Sequence, residues 1–296
     1  MVIERITSAQ NPKIKELLAL QEKSRLRREK GLFVVEGRRE LEHCLAAGFA
    51  VDTVFYCPAI YGADLDGQGW RGLQRADSLT SSGECCLQPT ATPGLANVIP
   101  GLTGNLRIVE VTPELYGKIA YRGGTDGIIA EVRVRELGLD DLRLRPEPLI
   151  VVLESVEKPG NLGAVLRSAD AAGADAVLVC DPLTDLFNPN LIRASLGGIF
   201  SVPCVAVDSA SAIAWLKARG IRILTAQLQD SVWYYDSDMR RGTAIVIGTE
   251  STGLTQQWRA AADEHIRIPM LGRLDSLNAS VSAAILLFEA VRQRNS

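Results

Sequence analysis

The stretch PLIVVLESVEKPGNLGAVLRSADAAGADAVLVC (148–180) decides the fold of this chain. Two apolar segments, PLIVVLES and ADAVLVC, have the length of buried strands, and the second is continued near Val202 to Val207. Further strands are predicted at IRILTAQ and TAIVIGTE. Helices are predicted between the strands, near residues 161–172, 190–199, 209–219, 255–262 and 278–293. Strands that alternate with helices in this way predict a mostly parallel sheet with both faces covered.

The residues before this stretch predict a second, smaller α/β domain. The segment 136–147 is charged and is followed by Pro148, so it is predicted to be a linker between a domain at 1–135 and a domain at 148–296. Residues 61–105 are rich in Gly, Ser, Thr and Pro and show poor periodicity, which predicts an irregular stretch within the first domain.

Composition excludes several classes of protein. The 296 residues are 47% hydrophobic and carry a net charge of −3, which is typical of a globular protein with a buried core. No apolar run approaches the roughly 20 residues that span a bilayer, and the N-terminus lacks the pattern of a secretory signal, so a cytoplasmic protein is expected. The six cysteines form no CxxC pair and are expected to be reduced, buried thiols. With two histidines, no metal site is expected.

Charge alone gives little support to a nucleic-acid partner. A net charge of −3 is unfavourable for phosphate contacts. The segment KSRLRREK (23–30) is locally basic, although a run of this kind is usually a solvated helix face.

The first of three strand-to-helix junctions that carry chemistry is LESVEKPGNLGAVLRSADAAG (153–173). Asn161 follows the turn at Pro159 and Gly160 and is a natural helix cap. Arg167 stands six residues later among small and apolar residues. Taken alone, this arginine is best interpreted as one half of a structural ion pair.

The second junction is TAIVIGTESTGLT (243–255), where an apolar strand is followed by Gly248, Glu250 and Gly253. Glycine allows a ligand or another backbone segment to approach closely. A carboxylate directly after a buried strand is costly unless it is paired or functional. Thr255 is in position to cap the next helix.

The third junction is HIRIPMLGRLDSLNASVSAAILLFEA (265–290). A short strand ends at Ile268 and Pro269, and a loop leads to Ser276, Leu277 and Asn278 at the start of an apolar helix. Either Ser276 or Asn278 is a candidate cap for that helix.

In this order and spacing the three junctions resemble the SpoU (TrmH) family of RNA ribose 2′-O-methyltransferases. Asn161-Leu162-Gly163 with Arg167 matches the first motif of the family, and Gly248-x-Glu250-x-x-Gly253 matches the second. The third motif matches Ile268-Pro269-Met270-x-Gly272 followed by Ser276-Leu277-Asn278. An Arg-Ala-Ser-x-Gly stretch, a further family feature, occurs at 193–197. The resemblance covers about residues 148–294.

The resemblance implies a trefoil-knotted α/β methyltransferase domain of the SPOUT type that uses S-adenosylmethionine as cofactor. It implies that Gly248, Thr249, Ile268, Met270 and Leu277 bind the cofactor, largely through backbone groups. It also implies a catalytic set made of Asn161, Arg167, Glu250, Ser276 and Asn278. Because arginine is effectively always protonated in proteins, we expect Arg167 to orient the ribose or a phosphate and to stabilise developing alkoxide charge. Glu250 is expected to pair with Arg167 or to steer the proton.

The resemblance also implies partners. The N-terminal part looks like the ribosomal-protein-like, substrate-binding domain that often precedes this catalytic domain, so ribosomal RNA is favoured over transfer RNA. A homodimer formed through the knotted domain is expected, with no metal and no membrane contact.

Three alternatives stay open at this point. They are a transfer RNA 2′-O-methyltransferase, a catalytically inactive RNA-binding relative, and a Rossmann-type enzyme that acts on a small molecule. The third needs a Gly-rich fingerprint after the first strand, and the turn at 158–163 does not provide one. Asp181 is placed like the acidic residue of such a site, but a strand-end cap is the simpler interpretation.

Overall fold

The computed structural model describes residues 3–61, 106–121, 126–249, 252–273 and 276–296. In these parts the chain builds two β-sheets, one from strands between residues 3 and 133 and one from strands between 149 and 267. The stretch predicted to be irregular, 61–105, lies outside the described residues except for Tyr61.

The N-terminal sheet has five strands in the order β1-β4-β3-β5-β2. β1, β4 and β3 run parallel, whereas β5 is antiparallel to both β3 and β2. The strands are β1 (Ile3–Ile6), β2 (Leu32–Glu36), β3 (Val51–Tyr56), β4 (Arg107–Val111) and β5 (Ile128–Arg133). The helices are α1 (Pro12–Glu22), α2 (Ser24–Lys30), α3 (Arg38–Ala46), α4 (Pro58–Tyr61) and α5 (Pro113–Ile119).

Local sequence sets the ends of these helices. Asn11 caps α1, where its side chain accepts a hydrogen bond from the Lys13 amide, and Thr112 caps α5 in the same way through the Leu115 amide. Each helix then begins with a proline, whose missing N–H is not needed in the first turn. Helix α2 ends where Gly31 adopts a left-handed conformation with φ of 62°.

The C-terminal sheet has seven strands in the order β10-β12-β9-β11-β6-β7-β8, and every pairing in it is parallel. The strands are β6 (Leu149–Glu154), β7 (Ala176–Cys180), β8 (Cys204–Val207), β9 (Arg222–Ala226), β10 (Val232–Trp233), β11 (Thr243–Ile247) and β12 (Glu264–Arg267). The helices are α6 (Pro159–Ala171), α7 (Pro189–Ala194), α8 (Gly198–Ser201), α9 (Ser209–Ala218), α10 (Gln256–Ala261) and α11 (Ala279–Arg294). The predicted α/β class with a mostly parallel sheet is confirmed.

Three local predictions differ from the structure. The continuation near Val202 to Val207 is a separate strand, β8, which pairs with β7. The single helix predicted near 190–199 is divided into α7 and α8, because Gly197 adopts a left-handed conformation with φ of 84° between them. The cap of α6 is Lys158, so Asn161 lies within the first turn of the helix.

The two faces of the C-terminal sheet are covered by different helices. α9 and α10 pack on one face through residues such as Leu216 and Trp258. α6, α7 and α11 pack on the other through residues such as Leu166, Leu191 and Leu286. This second core continues without interruption into the N-terminal sheet, where it includes Phe33, Val35 and Val54.

Four phenylalanines join the two sheets within that shared core. The ring of Phe33 stacks on that of Phe187, with centroids 4.5 Å apart, and Phe49 meets the edge of Phe200 at 5.3 Å. Beside them the buried guanidinium of Arg27 forms an ion pair with Asp185 at 2.6 Å. A hydrophobic and ionic contact therefore fixes the N-terminal sheet against the C-terminal one.

The cysteines that the structure describes agree with the predicted reduced thiols. Cys44, Cys57, Cys180 and Cys204 are buried and unbridged. Burial raises the pKa of the Cys44 thiol to about 12, so this thiol is protonated at neutral pH. No helix in the described ranges has the length and apolar composition to cross a membrane. The same ranges contain no cluster of His, Cys, Asp or Glu side chains suited to a metal ion.

Candidate active site

A pocket of about 360 Å³ opens at the carboxyl edge of the C-terminal sheet. Parallel strands end at a common edge, and the segments that follow β9, β11 and β12 meet the start of α11 there. Residues from all three segments and from α11 line the pocket, including Gln227, Gly248, Thr249, Ile268, Met270, Ser276, Leu277 and Ala279. All five residues predicted to bind a cofactor therefore lie around one pocket.

Gly248 stands at a crossing of two backbone segments. A Cβ atom at this position would lie 2.3 Å from the carbonyl carbon of Gly253 and 2.6 Å from the amide nitrogen of Leu254. Real Cβ contacts are never that short, so only glycine fits between β11 and the returning loop. The sequence predicts a close approach of a ligand or of another backbone segment at Gly248, and the segment that approaches is the protein's own backbone at Gly253 and Leu254.

The loop after β11 is closed by a pair of backbone hydrogen bonds. The amide of Thr249 donates to the Gly253 carbonyl at 3.2 Å, and the Gly253 amide donates back at 3.1 Å. Gly253 has a φ of 67°, which other residues rarely adopt. Glu250, predicted to be catalytic, falls in this loop but lies outside the described residues.

A buried carboxylate holds the far end of the same loop. Glu154, at the end of β6, is only 3% exposed. Its two oxygens accept hydrogen bonds from the Thr255 hydroxyl at 2.6 Å and from the Thr255 amide at 2.9 Å. Thr255 occupies the cap position of α10, but its side chain makes no capping hydrogen bond because it is turned towards Glu154. The predicted capping role of the Thr255 side chain is wrong.

Asn278 connects the third motif to the first. It caps α11, where its Oδ1 accepts a hydrogen bond from the Ser280 amide at 3.0 Å. Its Nδ2 donates to Oδ1 of Asn161 at 3.2 Å. Two of the residues predicted to be catalytic, 117 positions apart in sequence, are thereby in direct contact.

A smaller pocket of about 140 Å³ adjoins the larger one and shares Ile247, Gly248, Thr249 and Ala279 with it. Asn161 and Lys158 line this smaller pocket, whereas Ser276 lines the larger. Asn161 of the first motif and Ser276 of the third therefore line two adjoining pockets, which share Gly248 and together form one depression.

Arg167 stands apart from both pockets. It is exposed on α6, and six helical residues turn its side chain by about 120° from that of Asn161. None of the residues that the structure describes forms an ion pair or hydrogen bond with its guanidinium. Within this part of the chain, the simple interpretation of Arg167 as half of a structural ion pair finds no partner.

Sequence reasoning missed several polar side chains that line the larger pocket, among them Gln227, Arg259 and Arg267. Oε1 of Gln227 is buried, and no residue in the described ranges donates a hydrogen bond to it. The Arg267 guanidinium lies 4.2 Å from the ring centre of Trp233, and its buried Nε lacks a partner within the same ranges. Only Gln227 could have been found from sequence, because it directly follows the strand β9.

Asp181, the acidic residue that a Rossmann-type site would use, has a structural role. Its Oδ2 accepts a hydrogen bond at 2.5 Å from the hydroxyl of Ser209, at the start of α9. The bonded pair agrees with the simpler interpretation of this residue.

Comparison with known protein families matches both halves of the chain. The model of the SpoU rRNA Methylase family matches residues 148–288. The model of the MRM3-like substrate binding domain matches residues 11–130.

Among curated proteins, the chain is similar to the 23S rRNA (uridine(2479)-2′-O)-methyltransferase of Streptomyces viridochromogenes. The two are 33% identical over 193 aligned residues, and the alignment covers 63% of this chain and 67% of that protein. It is 37% identical over 180 residues to the 23S rRNA (guanosine-2′-O-)-methyltransferase RlmB of Pseudomonas syringae, covering 58% of this chain and 72% of that one.

Solved structures resemble the chain over nearly its whole length. A crystal structure of an RNA 2′-O ribose methyltransferase superposes with a TM-score of 0.76 at 37% identity, covering 99% of this chain and all of the other. The AdoMet-bound rRNA methyltransferase from Sinorhizobium meliloti gives a TM-score of 0.78 at 27% identity, covering 98% of each chain.

Proposed function

This chain belongs to the SpoU rRNA methylase family, and we infer that it is an enzyme that transfers a methyl group from S-adenosylmethionine to a ribose 2′-hydroxyl of RNA. The family membership confirms the predicted resemblance and the predicted fold, a knotted α/β methyltransferase domain preceded by a smaller α/β domain. The observation that carries the inference is the meeting of all three motifs at one depression, where the loops cross at Gly248 and Asn161 contacts Asn278.

The larger pocket suits S-adenosylmethionine. Its volume of about 360 Å³ is within the range of ligand sites, roughly 300–1,000 Å³. Its walls combine apolar side chains such as Ile268 and Leu277 with the loop backbone at Gly248, Thr249 and Gly253. The buried Oε1 of Gln227 offers an acceptor for an amino group, and Arg259 offers a donor for a carboxylate. Adenine and the methionine carboxylate of the cofactor carry these complementary groups.

When bound, the cofactor supplies an electrophilic methyl group, so the residues around it have to position the 2′-oxygen and remove its proton. We assign positioning to the polar groups of Asn161 and Ser276, which line the two pockets, and of Asn278, which donates a hydrogen bond to Asn161. Arg167 lines neither pocket, so in this proposal the bound RNA reaches its exposed, permanently charged guanidinium, which would hold a phosphate and stabilise developing negative charge on the ribose oxygen. Glu250 would pair with Arg167 or direct the proton.

We propose large-subunit ribosomal RNA as the substrate. Both relatives described above carry 23S rRNA in their names, and the match to a substrate binding domain covers residues 11–130. In this proposal residues 1–135 form the RNA-binding domain, 136–147 the linker and 148–296 the methyltransferase domain. An enzyme with this substrate works in the cytoplasm.

We also propose that two copies of the chain pair through the C-terminal domain. Helix α11 carries an apolar stripe, Val281, Ile285 and Phe288, at helical spacing on its outer side. The side chains of Val281 and Phe288 are 46% and 49% exposed in the single chain. A second copy that covers this stripe would remove apolar surface from water beside the start of α11, where Asn278 and the pocket lie.

The direct test uses purified protein, S-adenosylmethionine with a labelled methyl group, and RNA from cells that lack the gene. We expect label in RNA, and digestion to nucleosides should release it as a 2′-O-methyl nucleoside. Label on a base, or in no RNA at all while the cofactor still binds, would refute the proposed function.

A further inference from the structure

A second cavity lies between the two domains, away from the cofactor pocket. It has a volume of about 280 Å³ and is open on one side. The N-terminal domain contributes Val34, Glu36 and Arg39 to its walls, and the C-terminal domain contributes Ile192 and Arg193 from α7. None of these residues lines either pocket at the carboxyl edge of the sheet.

Glu36 provides an acceptor inside this cleft. One oxygen, Oε2, accepts a hydrogen bond from the Tyr121 amide at 2.7 Å. The other, Oε1, is buried, and within the described residues it has no hydrogen-bond partner. Burial raises the pKa of the Glu36 carboxyl. The hydrogen bond from the Tyr121 amide and the nearby Arg193 guanidinium act in the opposite direction and lower it. A buried oxygen without a donor is costly, so the geometry favours a ligand that brings an N–H group.

The other walls define the rest of that ligand. The side chains of Val34, Ile192 and Leu196 contribute apolar atoms to the walls, so part of the cleft suits a flat ring. Three carboxylates also line the cleft: Glu36, Glu40, which pairs with Arg39, and Asp126, which accepts a hydrogen bond from the Arg38 amide at 2.9 Å. Arg193 is exposed and forms no ion pair with any residue that the structure describes, so its guanidinium is available at the cleft for an anion. The combination of an N–H donor, a flat apolar ring and an anionic group describes a nucleotide. Among the residues that the structure describes, those of the cleft form no cluster suited to a metal ion.

The cleft is built before any ligand arrives. Its two walls belong to different domains, and the shared core holds those domains together through the stacked rings of Phe33 and Phe187. The Arg27–Asp185 pair adds a buried ionic contact, because Arg27 has a side-chain exposure of only 3%. Two further bonds from the Arg27 guanidinium, to the carbonyls of Leu20 and Gln21, hold it in place. A preformed cleft binds without the cost of ordering two domains.

We propose that this interdomain cleft binds one unpaired nucleotide of the substrate RNA, with Glu36 accepting from an N–H group of its base and Arg193 contacting its phosphate. Unpaired bases are the parts of RNA that proteins read through hydrogen-bonding edges and flat faces. The cleft would thus set which RNA segment reaches the 2′-hydroxyl site. This proposal rests on the proposed function, since that function supplies the RNA.

The test compares Arg193→Glu, Arg193→Lys and Glu36→Gln with the wild type in steady-state methylation of RNA from cells that lack the gene. Lys217→Glu is the matched control, because Lys217 is exposed on α9, across the sheet from α7. We expect Arg193→Glu to raise KM for RNA at least tenfold with kcat within twofold, and Glu36→Gln to raise it several-fold. Arg193→Lys should recover part of the loss, and Lys217→Glu should stay within twofold of the wild type.

Two further readouts separate a binding role from a structural one. The dissociation constant for S-adenosylmethionine and the melting temperature should be unchanged in Arg193→Glu, while the dependence of RNA binding on salt becomes shallower by about one phosphate contact. Ultraviolet crosslinking of the RNA to wild-type protein should label the peptides that contain Glu36 or Arg193. Wild-type KM in both Arg193→Glu and Glu36→Gln, or crosslinks confined to other peptides, would overturn the proposal. Failure of the wild type to methylate RNA would instead refute the proposed function.

Discussion

Glu154 at the end of β6 binds Thr255 through both carboxylate oxygens, to the hydroxyl at 2.6 Å and to the amide at 2.9 Å. These two hydrogen bonds connect β6, the first strand of the C-terminal domain, to the far end of the loop that starts at Gly248. The cofactor pocket therefore depends on a buried carboxylate that lines only the smaller, adjoining pocket.

Replacing this carboxylate tests that dependence. We expect Glu154→Gln to lower the free energy of unfolding by about 1–3 kcal/mol, because the amide NH₂ would face one of the two Thr255 donors. The affinity for S-adenosylmethionine should fall with it. Urea unfolding and calorimetric titration measure the two effects. Glu136→Gln, at an exposed position that lines neither pocket, is the control, and an equal effect there would contradict the assignment.

The backbone crossing at Gly248 predicts a strict requirement for glycine. A methyl group in Gly248→Ala would overlap Gly253 and Leu254, so the loop would have to move and cofactor binding should fall at least tenfold. Gly117→Ala is the matched control, because Gly117 lies inside α5 with open space around it. That change should stabilise the protein by up to about 1 kcal/mol. Calorimetry that finds unchanged cofactor affinity in Gly248→Ala would contradict the crossing.

Arg167 gives a prediction about turnover alone. Because its side chain is exposed and has no bonded partner among the described residues, Arg167→Ala should leave folding and cofactor affinity unchanged. We expect kcat to fall by about 10²-fold or more if Arg167 stabilises developing charge, as the loss of other such donors does. Arg167→Lys, which keeps the charge but loses the planar fork, should be intermediate. Single-turnover rates measure this directly, and near-normal rates in both variants would exclude both roles assigned to Arg167.

Glu131 predicts a pH dependence of stability in the N-terminal domain. Glu131 lies on β5 and is 6% exposed. Burial raises the pKa of its carboxyl to about 7, although a hydrogen bond with Thr53 lowers the pKa by a smaller amount. The folded protein therefore binds a proton that the unfolded chain releases near pH 4.5. The contribution of Glu131 to the free energy of unfolding is therefore fully present below pH 4.5. It is lost as the pH rises through 7, and the free energy of unfolding falls by about 3 kcal/mol over this range. Glu131→Gln should flatten this slope and be more stable than the wild type at pH 8.

Urea unfolding at several pH values checks the prediction, with the exposed Glu29→Gln as control. If Glu131→Gln retains the wild-type slope between pH 4.5 and 7, the buried carboxyl is not its source.

The apolar stripe on α11 predicts the effect of a charge on association. Phe288→Glu should convert the proposed dimer to monomers, since it places a carboxylate where a second copy would cover apolar surface. Ile3→Glu, at a position with a similar exposure on the edge strand β1, should not. Sedimentation velocity gives the masses, and a monomeric wild type would refute pairing through this helix.

The sequence was sufficient for the parts of the fold that local patterns control. The strands at 149–154 and 243–247 are continuous apolar runs, and the caps at Asn11 and Thr112 are local signals. Gly248 was expected to allow a close approach, but its contact with Gly253 depends on a loop that returns over the strand.

Long-range contacts explain most of what the sequence left open. Thr255 has the position of a cap but bonds to Glu154, 101 residues away, because a buried carboxylate needs donors more than the helix end does. The Arg27–Asp185 pair joins residues 158 positions apart and had no local signal. Gln227 and Arg259 reach the pocket because β9 lies next to β11 in the sheet and α10 follows the loop that leaves β11.

Ribose 2′-O-methylation of RNA is tested most directly by a map of 2′-O-methyl groups across total RNA from cells with and without the gene. We predict that a ribose position in the large-subunit ribosomal RNA loses its methyl group when the gene is deleted. Purified wild-type protein with S-adenosylmethionine should restore it, whereas the Arg167→Ala variant should not. Identical maps from the two strains, together with no transfer by the purified protein, would contradict the account.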